Sequence, residues 1–106
     1  MLKPTTLNRE TDKIMPTYVI ESEMVGVGGL SAAELRAAAR HSASILNEIG
    51  PHIQWVQSFV TAEKIYAVYS APDEKAVLEY ACQTGLPAHR VAEVKAVIDP
   101  TTAEED

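Results

Sequence analysis

The feature that most constrains this chain is a pair of β-forming runs, IQWVQSFV (53–60) and IYAVYS (65–70), separated only by Thr61-Ala62-Glu63-Lys64. So short a connection cannot cross over to a parallel partner, so the two runs form an antiparallel hairpin. On both sides of that hairpin lies a helical segment, and beyond each helix another strand. Thr17 to Glu23 (TYVIESE) alternates and is rich in β-formers, which predicts the first strand. Ser31 to Glu34 (SAAE) has the form of a capping box, where the serine oxygen and the glutamate carboxylate satisfy each other's backbone amides. Leu35, Ala38, Ala39, Ser42, Leu46 and Ile49 then form one stripe at helical spacing, and Gly50-Pro51 ends the helix. Pro72-Asp73-Glu74 opens a second helix that ends at Gly85 and Pro87, and Val91 to Ile98 (VAEVKAVI) is the expected last strand. The order is β-α-β-β-α-β, the split βαβ or ferredoxin-like arrangement. The fold class is therefore α+β, with a four-stranded antiparallel sheet carrying both helices on one face.

The strands say something further about the other face. Side chains alternate across a sheet, so Ile53, Trp55 and Phe59 are expected on one side of the second strand, with Val56 and Val60 on the opposite side. A sheet with one wet face alternates apolar and polar residues. A strand apolar on both sides leaves a patch that calls for cover. A second copy of the chain is the expected cover, giving a homodimer and a dimeric α+β barrel. Glu21, Gln57 and Lys95 fall on pattern positions that place them beside Trp55 and Phe59, so these five residues are the candidate lining of an inter-subunit cavity. Glu21 and Glu23, two apart on one strand face, with Gln57 and Lys95, are the one grouping here that resembles an acid–base site, where Lys95 would pair with a buried carboxylate.

At 106 residues the chain is the length of one domain. Three regions are expected: an arm over 1–14, a ferredoxin-like domain over 15–98, and an acidic tail over 99–106. The arm lacks the apolar run of a signal peptide, which makes the cytoplasm the default location. No apolar stretch reaches the ~18 residues of a membrane span, so no membrane partner is expected. The 9 Lys and Arg against 15 Asp and Glu give a net charge of −6, so no nucleic-acid partner is expected either. The single cysteine, Cys82, excludes an internal disulfide, and its mid-helix position predicts a semi-buried side chain. The glycines of Gly26-Val27-Gly28-Gly29 lie between a strand and a helix, where phosphate loops occur, but they match neither loop signature and read as a turn. No nucleophile elbow is present, and no two histidines lie four apart on a helix.

Four blocks carry a resemblance: MPTYVIE (15–21), IQWVQSFVT (53–61), KIYAVYSAPDE (64–74) and RVAEVKAVIDPTTAE (90–104). In wording and order they resemble a small bacterial family of ferredoxin-like proteins of unknown function, one member of which is described as nickel-binding. The resemblance implies a homodimer and the handling of nickel. It also implies a histidine at the position of Gln57, a histidine at Tyr80 and a cysteine at Ala67, where this chain departs from the pattern. If nickel or another divalent transition metal is bound, the candidate ligands are His52 and His89, beside an acidic residue. No catalytic residue is assigned. The expected function is a homodimeric binding protein for a small molecule or a metal. The alternative is a cofactor-free isomerase or oxygenase working in the cavity between the two sheets.

Overall fold

The computed structural model describes residues 15–49 and 52–104. The expected arm over 1–14 lies outside the described residues. The strands are β1 (Thr17–Glu23), β2 (Gln54–Val60), β3 (Lys64–Ser70) and β4 (Arg90–Glu93), and the helices are α1 (Ala32–Ile49) and α2 (Glu74–Thr84). They form one antiparallel four-stranded sheet in the spatial order β2-β3-β1-β4. The chain is α+β, and its order is consistent with the ferredoxin-like arrangement. No described helix is long and apolar enough to cross a membrane.

Local chemistry fixes the helix ends. Ser31 Oγ accepts the Glu34 amide at 3.1 Å, and Glu34 Oε1 accepts the Ser31 amide at 2.9 Å, so the capping box is formed. Asp73 caps α2 by accepting the Ala76 amide at 2.9 Å, and Gly85 closes it at φ 79°, the left-handed conformation glycine adopts without strain. The core lies between the sheet and the helices. Tyr18, Ile20, Ala67 and Tyr69 come from the sheet, and Val77, Tyr80 and Ala81 from α2. Ile20 and Val77 are fully buried, each contributing roughly 1.5–3 kcal/mol relative to exposure. Tyr80 ties the two helices together. Its hydroxyl donates to the Ser42 carbonyl at 3.1 Å, and its ring meets Tyr69 edge-on at 5.0 Å.

The second strand differs from the expected pattern at one residue. Trp55 pairs with Tyr69, but Gln57 pairs with Val68, so Val56 is the extra residue of a β-bulge. Beyond the bulge every side chain changes face. Trp55 stays on the helix side, where Ser58 and Val60 join it opposite Ala67 and Ile65. Phe59 pairs with Tyr66 and turns to the face without helices. The reading that set Trp55 and Phe59 on one side is corrected accordingly.

The last strand is also shorter than expected. It pairs only with β1, whose first residue is Thr17, and pairing ends with the Val94 amide donating to the Thr17 carbonyl at 2.7 Å. Val97 and Ile98, expected in the strand, have no strand partner among the described residues and are more than three-quarters exposed. The described part of the acidic tail forms an exposed 3₁₀ turn over Pro100–Glu104, with Asp99 accepting the amides of Thr101 and Thr102.

Candidate functional site

Odd-numbered residues of β1 and even-numbered residues of β3 face away from the helices, and two rows cross this open face. One runs Gln57–Val68–Val19–Ala92 and the other Phe59–Tyr66–Glu21–Arg90. Val19, Tyr66 and Val68 are half-buried, while Phe59 is 53% exposed. Three of the five expected cavity residues, Glu21, Gln57 and Phe59, therefore share this face. The other two do not. Trp55 lies on the helix side, with its indole N–H donating to Ser58 Oγ at 2.9 Å. Lys95 lies past the end of β4 and pairs with Glu93 at 3.2 Å.

Glu21 has other partners. The Lys64 ammonium donates to Oε2 at 2.6 Å, and Arg90 Nε lies 3.8 Å from Oε1. Lys64 sits two residues from Tyr66, the position directly opposite Glu21 on the neighbouring strand, and Arg90 is directly opposite on the other side. The hydrogen bond from Lys64 holds the Glu21 carboxyl below its usual range, and the same bond holds the Lys64 ammonium above its own. Glu23 lies directly opposite Lys64 on the same face, so two cations meet two carboxylates and the corner is balanced in charge. Lys64 and Arg90 were not among the expected site residues. Their signal was present, since a basic residue flanks each strand destined to pair with β1.

The glycine turn is not an anion cradle. The Gly26 amide donates to Glu63 Oε1 at 2.9 Å, Gly28 to the Ala62 carbonyl at 3.0 Å, and Gly29 to the Gly26 carbonyl at 3.0 Å. These amides are spent on the fold, and Val27 is buried beneath them. Cys82, expected to be semi-buried, is exposed.

The imidazole of His89 is committed as well. Its Nδ1 accepts the Glu23 amide at 3.0 Å, which in the neutral ring puts the hydrogen on Nε2. Neither nitrogen then offers a lone pair to a metal. His52 is exposed in the turn before β2.

The chain matches the family described as "Nickel responsive protein SCO4226-like" over residues 18–94, and it belongs to that family. The crystal structure of SCO4226 from Streptomyces coelicolor A3(2) superposes with a TM-score of 0.64 at 16% identity, covering 77% of this chain and 99% of that one. At that identity the likeness is one of fold. No curated protein matches the chain.

The family's description raises nickel, and the residues here do not fit a nickel cage. Among the described residues no three His, Cys, Asp or Glu side chains converge to hold a metal ion. The three positions singled out by the family resemblance do not share one site either. Gln57 is on the open face, whereas Ala67 and Tyr80 are buried on the helix side.

Proposed function

We propose that this chain is a homodimeric, non-catalytic binding protein whose two copies join across their open sheet faces to form a dimeric α+β barrel of ferredoxin-like subunits. The observation that carries this reading is the open face itself. Val19, Val68 and Ala92 form an apolar middle, flanked by Phe59 and Tyr66, with charge gathered at the end that holds Glu21, Glu23, Lys64 and Arg90. Size supports it too. Three strands of seven residues and β4 of four, ~4.8 Å apart at ~3.3 Å per residue, give a face of roughly 400 Å². Pairing two such faces, with their side-chain relief, buries roughly 1,000 Å² in total, the lower bound for a specific interface.

The small-molecule ligand sits between the sheets, against the apolar middle formed by Val19, Val68 and Ala92. A catalytic role draws no support from Glu21. A carboxylate held ionised by Lys64 is a weak base near neutral pH. Light scattering on wild type and Phe59→Asp tests the proposal. The wild type is expected at twice 11.5 kDa and the variant at 11.5 kDa. A wild type that stays monomeric at millimolar concentration removes the reading.

A further inference from the structure

Helix α1 runs for 18 residues and buries none of them. The residues it turns toward the sheet near β2 are small, namely Ala38, Ala39 and Ser42, and between them and the sheet lies a cavity of about 310 Å³. Trp55 and Tyr69 supply its aromatic wall. Because β2 is an edge strand, the cavity opens sideways, past the exposed apolar side chains of Leu35 and Val60.

We infer that this cavity is a binding site for a small, flat, uncharged molecule of about two fused rings. Size sets the ring count. An apolar cavity of ~150 Å³ accepts benzene, and this one is about twice as large. Charge sets the class. Among the described residues no Asp, Glu, Lys or Arg lines the cavity and His41 is its one ionisable imidazole, so an ionic ligand would shed its water and meet no fixed countercharge. Shape follows from the wall, since aromatic faces such as those of Trp55 and Tyr69 stack on planar molecules. Two hydroxyls fix orientation. Ser58 Oγ accepts the Trp55 indole N–H, which leaves its own hydrogen to donate. Thr84 donates its hydroxyl to the Ala81 carbonyl, which leaves its oxygen to accept. The site lies on the opposite side of the sheet from the proposed dimer face, so it stands or falls independently of that reading.

Indole is the probe, and the chain's single tryptophan is the reporter. In the ¹⁵N-labelled full chain, indole is expected to shift the Trp55 side-chain N–H and the amides of Ala39 and Ser42 saturably. Ala39→Leu fills the cavity and is expected to weaken binding at least about tenfold. Ser58→Ala keeps the volume and removes the donor, weakening binding by about threefold to tenfold. Tryptamine and benzoate, which carry charge, are expected to bind at least about tenfold more weakly than indole. Phe59→Asp is expected to leave indole binding unchanged while it disrupts the dimer. No saturable shift in the wild type overturns the inference. So do undiminished binding in both Ala39→Leu and Ser58→Ala, equal binding of the charged probes, or shifts confined to Val19 and Val68. If Ala39→Leu does not fold, Ser58→Ala and the charged probes still decide.

Discussion

Replacing Gly28 with alanine is expected to destabilise the protein, although the residue lies in a surface turn. A Cβ at this position would sit 2.6 Å from the Ala62 Cα and 2.8 Å from the Thr61 carbonyl oxygen. Both are backbone atoms of the β2–β3 connection, so no side chain can swing aside. The turn must instead lift away from the hairpin. That movement strains the Gly28–Ala62 and Met24–Glu63 backbone hydrogen bonds and draws the buried Val27 out of its seat. Overpacking of this kind costs about 1–3 kcal/mol. In a domain of this size the melting temperature falls by roughly 5–20 °C. Thermal unfolding followed by circular dichroism at one protein concentration measures it. Gly29→Ala is the control, because a Cβ there meets nothing within 4 Å and the backbone is not left-handed. That variant is expected to be neutral or more stable by up to ~1 kcal/mol, through the reduced freedom of its unfolded chain. Equal melting temperatures for Gly28→Ala and Gly29→Ala would refute the close-contact reasoning.

Three other perturbations follow from the same structure. Ser22 is fully buried and its hydroxyl has no partner among the described residues, so Ser22→Ala is expected to stabilise by about 1 kcal/mol, read as a higher urea midpoint with an unchanged slope. Glu21 has a depressed folded-state pKa, so its contribution is present above the usual carboxyl value of 4.5 and is lost as pH falls through the lower folded value; the acid limb of stability against pH should therefore flatten in Glu21→Gln. At neutral pH, equimolar nickel is expected to leave the Glu23 amide resonance unmoved, because the His89 ring nitrogen beside it is already an acceptor; broadening of that resonance at low metal would show that nickel displaces the bond.

The helix ends were legible because short-range chemistry decides them. Ser31 with Glu34, Asp73 and Gly85 each act within four residues of themselves, and all form the contacts their sequence positions announce. The hairpin was legible for the same reason, since Thr61–Lys64 leaves the chain no other route. Facing was only half legible. Strict alternation holds along β1 and β3 but fails at Val56, and one extra residue sends Phe59 to the face opposite Trp55. Nothing in IQWVQSFV marks the bulge, because apolar residues occur at either parity. The length of β4 depended on its neighbour rather than on its own residues. VAEVKAVI is β-forming throughout, yet pairing stops at Thr17, which follows Pro16, a residue with no amide to donate. The partner of Glu21 was misassigned for a related reason. Lys95 matches in period, but register across β3 and β4 brings Lys64 and Arg90 instead.

The pairing of two open sheet faces is tested most directly by contacts between copies. In a dimer mixed from isotope-labelled and unlabelled chains, filtered nuclear Overhauser spectra report only proton pairs that cross the interface. Cross-copy contacts among Val19, Phe59, Val68 and Ala92 are the predicted result. Cross-copy contacts that arise only from α1 and α2, or none at all, would contradict it.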